Sequence, residues 1–287
     1  MNTRKKPREL ILYEYLSRRR TLSREEMYKY HKLHRGYQGE IMFDRYLEPF
    51  SNNFLLLKDL WLSHQNKSFQ LDHLLLHSDT LFMYEIKNYA GEFYYQNEKL
   101  YLHSGKEMDN PLIQLKRTES LFRQLLQQQN WNIPIVSAVV FINPECTIFQ
   151  APKDPQIILP TQINRYLRQF HKSISIDAAK RQIMTKLQSI QLQESPYIQL
   201  PAYDYAQLKK GIPCKACDSF LHTIQGKKCV CTHCGNSELL QHALIRNVEE
   251  FMFLFPKQQV TTEIIHDWCN LPLTHERISY HLKSIMQ

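Results

Sequence analysis

The chain has 287 residues, with 36 Lys+Arg against 28 Asp+Glu and a formal net charge of +8. A hydrophobic fraction of 43% supplies a core and excludes a wholly disordered chain, while Gly at 7 residues argues against collagen-like, solenoid and glycine-rich phosphate-loop architectures. No apolar run approaches the ~18 residues needed to cross a bilayer, and Glu9 and Glu14 interrupt the basic start in a way unlike a signal peptide, so a cytoplasmic protein with no membrane partner is expected.

The charge is unevenly spread. Residues 1–35 hold 11 Lys/Arg against 4 Asp/Glu, residues 36–204 carry −1, and residues 205–287 carry +2. A basic segment containing the run Arg18-Arg19-Arg20 is what a polyanion partner requires, nucleic acid first, and these three arginines are candidate phosphate contacts. A solvated helix surface is the competing reading of the same charges.

Residues 7–50 are rich in helix formers with Tyr and Leu at helical spacing, which predicts two or three helices. Gly36-Tyr37-Gln38-Gly39 is expected to break the run, with a helix restarting near Glu40. From about Asn53, short apolar runs predict strands over residues 54–57, 69–77 and 80–88, the last two forming a hairpin about His77-Ser78-Asp79-Thr80. Residues 91–103 read as further strand, 112–129 as a long amphipathic helix, and 135–142 as a buried strand. The fold class is therefore α/β, a mixed central sheet flanked by helices. Residues 152–199 read as a peripheral extension punctuated by Pro155, Pro160 and Pro196.

The densest chemistry lies in Gln70-Leu71-Asp72-His73 and in Tyr84-Glu85-Ile86-Lys87-Asn88. On a strand, residues two apart share a face, so Glu85 and Lys87 project together. If the two strands pair, Asp72 approaches both. Carboxylates and an ammonium among apolar strands are costly to bury uncompensated. A hard divalent cation such as Mg²⁺ or Mn²⁺ compensates with oxygen ligands, and phosphodiester hydrolysis is the chemistry that uses such a set. Glu40 borders the apolar face formed by Phe43 and Leu47, with Asp44 one turn on, and is a candidate third carboxylate. An internal salt bridge competes with this reading.

Four blocks around these residues resemble, in order, the motifs of the nuclease-related domain, NERD, a branch of the PD-(D/E)xK nuclease-like superfamily. They are Gly36-Tyr37-Gln38-Gly39-Glu40, Gln70-Leu71-Asp72-His73, Glu85-Ile86-Lys87-Asn88-Tyr89-Ala90-Gly91 and Asn110-Pro111-Leu112-Ile113-Gln114. The resemblance spans roughly residues 36–145. It implies a restriction-endonuclease-like fold with Glu40, Asp72, Glu85 and Lys87 in the catalytic places and Gln114 supporting them. His73 and Asn88 are read as orienting neighbours or capping strand ends.

Cys214-Lys215-Ala216-Cys217 and Cys231-Thr232-His233-Cys234 form two C-x-x-C pairs, the pattern of a four-thiolate zinc ribbon. Some thirty residues cannot build their own core, so Zn²⁺ would supply the stability. A pair of disulfides is the alternative, and Cys229 is the nearest competing ligand. Beyond the ribbon, residues 245–255 predict a helix ended by Pro256. Val260, Ile264, Ile265 and Trp268 mark a second, capped by Thr261 or Thr262, and Thr274 caps a third with Ile278, Leu282 and Ile285 on its apolar face. The tail resembles a helix-turn-helix, with Arg277, Tyr280 and Lys283 as candidate DNA contacts. A plain three-helix module competes.

The expected organisation is a basic helical segment (1–35), a nuclease-like domain (36–150), a helical connector (151–205), a zinc ribbon (206–240) and a helix-turn-helix-like module (241–287). The function this implies is a Mg²⁺- or Mn²⁺-dependent nuclease acting on nucleic acid, DNA ahead of RNA, in a bacterial cytoplasm. The alternatives are a nucleic-acid-binding or regulatory protein that does not cut, and a protein-docking scaffold.

Overall fold

The computed structural model describes residues 4–172, 176–198 and 200–285, with the side chains of residues 283–285 outside the description. The chain forms two compact units: Met1–Lys6 with Lys32–Gln199, and Pro7–His31 with Leu200–Gln287.

The first unit is built on a mixed sheet. Strands β1 (Leu55–His64), β2 (Lys67–His77) and β3 (Thr80–Lys87) pair antiparallel, while β3, β7 (Ile135–Phe141) and β9 (Ile157–Ile158) pair parallel, in the order β1-β2-β3-β7-β9. A second sheet holds β4 (Gly91–Gln96), β5 (Lys99–Leu102), β6 (Glu107–Met108) and β8 (Cys146–Phe149). Helix α3 (Pro111–Gln128) covers one face of the large sheet, where Leu74, Leu76, Leu81 and Met83 meet Leu115 and Phe122. The other face, with Leu75, Tyr84 and Val140, meets Phe43 and Leu47 of α2 (Arg24–Leu47) and Phe170. Covering on both faces explains why β2, β3 and β7 read as continuous apolar runs rather than alternating ones.

Two expectations for this unit are corrected. Helix α2 runs unbroken through Gly36 and Gly39. A Cβ at Gly39 would lie 2.6 Å from Asn88 Cβ and 3.2 Å from Ile142 Cγ2. The residue is glycine because the helix approaches the end of β3 closely, and it stays helical at a cost of about 1 kcal/mol relative to alanine. The stretch read as a peripheral extension also enters the core: β9 completes the sheet, and Ile163 and Leu167 of α4 (Ile163–Leu167) are buried with Phe170. Helix α5 (Ala178–Ser189), capped by Asp177, buries Met184 and Leu187.

The second unit combines helix α1 (Arg8–Arg19) and the start of α2 with a three-stranded ribbon, β10 (His222–Gln225), β11 (Lys228–Cys231) and β12 (Ser237–Leu239), and with helices α6 (Leu240–Leu254), α7 (Thr262–Cys269) and α8 (His275–Ile285). The side chains of Thr261 and Thr274 accept from the backbone N–H groups of Ile264 and Arg277, as capping predicts. Among the described residues, no helix is long and apolar enough to cross a membrane.

Arg19 is the polar centre of this second unit. Its Nε lies 2.5 Å from Glu250 Oε1, its Nη1 donates to the carbonyls of Lys209 and Gly211, and its Nη2 donates to Asn247 Oδ1. The guanidinium stacks 3.7 Å from the Trp268 ring centroid. The expectation that Arg19 grips phosphate is thereby corrected: its side chain is 0% exposed. Arg20 pairs with Glu26 at 2.7 Å and Arg18 with Asp218 at 3.0 Å. Much of the N-terminal charge is spent on internal pairs.

Candidate active site

Strands β2 and β3 pair from His77–Thr80 to His73–Tyr84, and one step further Asp72 Oδ2 accepts the N–H of Ile86 at 2.9 Å. The carboxylate thus occupies the opening between the strands and replaces a ladder bond. Glu85 and Lys87 follow on the face toward α3, as their spacing predicts. Lys87 Nζ donates to Glu85 Oε1 at 2.7 Å and to Gln114 Oε1 at 3.0 Å, and Gln114 Nε2 donates to Glu85 Oε1 at 2.7 Å. Gln114 is placed by the start of α3. The Asn110 side chain caps the Leu112 N–H at 3.0 Å and donates to the carbonyl of Glu98, and Pro111 presets the first turn. The geometry of the helix start therefore fixes which side chain reaches Lys87. Asn88 donates to the Arg35 carbonyl at 2.8 Å and accepts from Asn143, holding α2 and β7 to the end of β3.

Asp72, Glu85 and Gln114 line a cleft of about 630 Å³, together with Trp61, Arg117 and Tyr197. Burial pushes both carboxyls up in pKa. Glu85 rises to about 7, through burial first and then the Asp72 charge, with Lys87 and Gln114 opposing. Asp72 rises through burial, opposed by the Ile86 N–H and by Lys87 and Arg4. Burial disfavours the Lys87 charge, but Glu85, Tyr89 and Asp72 together outweigh it and its pKa is raised as well.

A second cluster adjoins this one and was largely missed in the sequence. Arg4 Nη1 lies 3.0 Å from Glu40 Oε2 and 2.6 Å from Asp59 Oδ2, and its Nε lies 3.0 Å from Asp44 Oδ2. Its Nη2 lies 3.3 Å from Asp44 Oδ1, 3.5 Å from the Asp72 carbonyl oxygen and 2.8 Å from His73 Nε2. His73 Nε2 is also 2.8 Å from Asp44 Oδ1, and Lys58 Nζ is 3.0 Å from Asp44 Oδ2. Asp59 reaches this position because it takes φ 52, between the pairs Lys58–His73 and Leu60–Leu71. Left-handed backbone is more accessible to Asp than to most residues. An Asp inside the apolar run of residues 55–62 was the available signal for it; nothing in the pattern singled out Arg4. Glu40, expected to face the cation with Asp72 and Glu85, is paired to Arg4.

The carboxyls of this cluster titrate apart. Burial raises Glu40 to about 9, with Asp72 and Asp59 adding and Arg4 opposing. Burial raises Asp59 to about 6 against the pull of Arg4. Burial also works against the Asp44 charge, but His73 and Arg4 overcome it and hold that pKa well below the usual carboxylate range. His73, buried, is lowered to about 4. A carboxyl whose folded pKa lies above its free value contributes stability that is full below the free pKa and is lost as pH rises through the folded one. Below about 7, Glu85, Asp59 and His73 also titrate, and His73 acts in the opposite sense. Asp72 is raised too, so the comparison with Glu40→Gln, rather than pH alone, separates the Glu40 contribution between about 7 and about 9. In divalent-free protein, thermal denaturation of the native chain should lose ~2 kcal/mol, roughly 5 °C, relative to Glu40→Gln across that window. Parallel pH profiles for the two proteins would contradict the assignment.

With this geometry in place, the comparisons with known proteins bear on it. Residues 35–142 match the family model of the nuclease-related domain, NERD. No curated protein and no solved structure matches the chain. The NERD match contains Glu40, Asp72, Glu85, Lys87 and Gln114, and also Asp44, Asp59 and His73; Arg4, the cysteines and the last three helices lie outside it. Within the matched residues, the donor set at Asp72 and Glu85 fits a hard divalent cation. Both are oxygen donors beside the cleft, and the Asp72 charge raises the pKa of Glu85, so positive charge between them is favoured. Mg²⁺ is commonly held by one or two carboxylates with waters completing the shell, which suits a pair rather than a closed cage.

The ribbon brings Cys214, Cys217, Cys231 and Cys234 together with all four sulfurs within 4.8 Å of one another. The Cys214–Cys234 and Cys217–Cys231 sulfur separations are 3.7 Å. A tetrahedron with metal–sulfur bonds of about 2.3 Å has edges of about 3.8 Å, so the four-thiolate arrangement fits. Cys229 is buried outside the group. In the tail, Tyr280 is 73% exposed, and exposed Arg277 donates to the Gly226 carbonyl at 2.7 Å. The side chain of Lys283 lies outside the described residues.

Proposed function

We propose that the protein is a metal-dependent nuclease that hydrolyses phosphodiester bonds of nucleic acid, DNA ahead of RNA. The observation that carries this reading is the convergence of Asp72, Glu85, Lys87 and Gln114 beside one cleft. Asp72 and Glu85 would hold Mg²⁺ or Mn²⁺, which would supply charge stabilisation at the phosphate and a more acidic water. Lys87, protonated beside Glu85, offsets charge developing on the phosphate oxygens. Gln114 fixes Lys87 and Glu85 in register. Water adds to phosphorus and releases a proton to solvent, the bond to the leaving oxygen breaks, and that oxygen takes a proton from solvent. Arg117, one turn beyond Gln114 on α3, lines the cleft and is a cation for the backbone of a bound strand.

Zn²⁺ is the proposed occupant of the four-cysteine group. Arg277, Tyr280 and Lys283 of α8, with Arg18 and Arg20, are proposed to recruit the substrate. The test is cleavage of single- and double-stranded DNA and RNA with Mg²⁺ or Mn²⁺, beside Asp72→Ala and Lys87→Ala. Metal-dependent cleavage lost in both variants is expected. Cleavage that persists undiminished in both would move the site elsewhere, and binding without cutting under either metal would make this a nucleic-acid-binding protein.

A further inference from the structure

Two acidic clusters adjoin at the opening between β2 and β3, but they are compensated differently. On the side toward α3, Glu85 is held by Lys87 and Gln114, and together with Asp72 it lines the cleft. On the other side, Glu40, Asp44 and Asp59 converge on one guanidinium, with Lys58 Nζ also 3.0 Å from Asp44. Every N–H of Arg4 has an acceptor there. The two on Nη1 face Glu40 and Asp59, the one on Nε faces Asp44, and the two on Nη2 face Asp44 and either His73 or the Asp72 carbonyl. The Arg4 side chain is 2% exposed, so it has neither a free donor nor the access to grip a phosphate. Arginine remains charged in proteins, and its planar fork spans carboxylates that a lysine point charge could not bridge together.

Resting on the nuclease reading of the same site, we infer that Arg4 is the resident cation of the Glu40 side. Asp72 and Glu85 then hold a single divalent ion, and Glu40 holds none. A second divalent ion beside Glu40 and Asp59 would need the space and the carboxylate oxygens that the guanidinium already takes. It would also have to shed its own waters, which Mg²⁺ does reluctantly. Arg4 is thus a positioning residue. It fixes three carboxylates in an orientation that keeps them off the ion, and it sets the metal stoichiometry of the site.

The test is equilibrium Mn²⁺ binding to the full, zinc-loaded chain, read by the electron paramagnetic resonance of free Mn²⁺, which needs no turnover. The native chain should take about one Mn²⁺. Asp72→Asn should weaken that binding by ~100-fold, whereas Glu40→Gln should leave it within ~3-fold. Arg4→Gln should admit a second Mn²⁺, and Glu40→Gln in the Arg4→Gln background should remove it again. If Arg4→Gln does not fold, the comparison of Asp72→Asn with Glu40→Gln decides on otherwise native protein. Glu40→Gln weakening Mn²⁺ as strongly as Asp72→Asn overturns the inference, as does a second Mn²⁺ in the native chain that Glu40→Gln removes, or no Mn²⁺ bound at Asp72. A chain that binds Mn²⁺ as expected but cuts no nucleic acid would remove the nuclease reading and leave the role of Arg4 standing.

Discussion

Lys87→Met should abolish divalent-metal-dependent cleavage, lowering its rate by ~10³-fold or more, with little loss of fold. The Lys87 ammonium has a fixed place, 2.7 Å from Glu85 Oε1 and 3.0 Å from Gln114 Oε1. Burial works against its charge, but Glu85, Tyr89 and Asp72 together outweigh burial and raise its pKa. In the proposed mechanism, Lys87 would offset charge on the phosphate. Methionine keeps the length and the apolar stem, so packing against the strand survives. Glu85, its pKa already raised to about 7 with Lys87 in place, would protonate more readily rather than remain as an uncompensated charge. The decisive pair of measurements is single-turnover cleavage beside Mn²⁺ affinity. Lost cleavage with Mn²⁺ retained is the expected result; cleavage at the native rate removes Lys87 from the mechanism. Gln114→Leu, which loosens Lys87 without removing it, should cost less, ~10-fold.

The parts of this molecule that were legible in the sequence are those fixed by local chemistry. The apolar runs and the His77–Thr80 turn gave the β2–β3 hairpin, and the two-residue period put Glu85 and Lys87 on one face. Asn110 and Pro111 marked the start of α3, and with it the position of Gln114. The paired cysteines announced the ribbon, and Thr261 and Thr274 announced two helix starts. What escaped depends on partners distant in the chain. Gly36 and Gly39 looked like breakers because the gap that Gly39 fills is made by Asn88 and Ile142. Arg4 was one of 11 basic residues at the N-terminal end until Glu40, Asp44 and Asp59 surrounded it. Within Arg18-Arg19-Arg20 the three residues look alike, yet burial against Glu250 and Trp268 makes the middle one structural. Asp59 required a left-handed backbone that no period reveals. The net charge of +8 consequently overstates the charge available for a polyanion, because Arg4 and Arg19 are buried in internal pairs.

Cys231→Ser should cost the ribbon its metal, about one zinc equivalent per chain, and with it the order of residues 214–239. The ribbon consists of three strands of three or four residues each, too little to bury a core of its own. Its non-metal ties are polar contacts at its margins: Arg246 of α6 donates to the Pro213 carbonyl and to Glu238 Oε1, each at 2.8 Å, Arg277 donates to the Gly226 carbonyl at 2.7 Å, and Arg18 pairs with Asp218 at 3.0 Å. Structural zinc contributes ~10–16 kcal/mol of apparent binding free energy, more than such ties can replace. Loss of one thiolate should therefore act on the whole ribbon rather than on one corner. The unit that contains residues 32–199 should be spared, since the cysteines belong to the other compact unit. Metal analysis, with hydrogen exchange resolved along the chain, reads both effects at once: fast exchange over 214–239 and native protection over 69–87. Cys229→Ser is the matched control. Cys229 lies two residues earlier on the same strand and is just as buried, but it stands outside the four-sulfur group, so its loss should leave the zinc in place. Full zinc retained by Cys231→Ser and lost by Cys229→Ser would exchange the two ligands. Full zinc retained by both would mean that the ion is held elsewhere and that the ribbon stands without it.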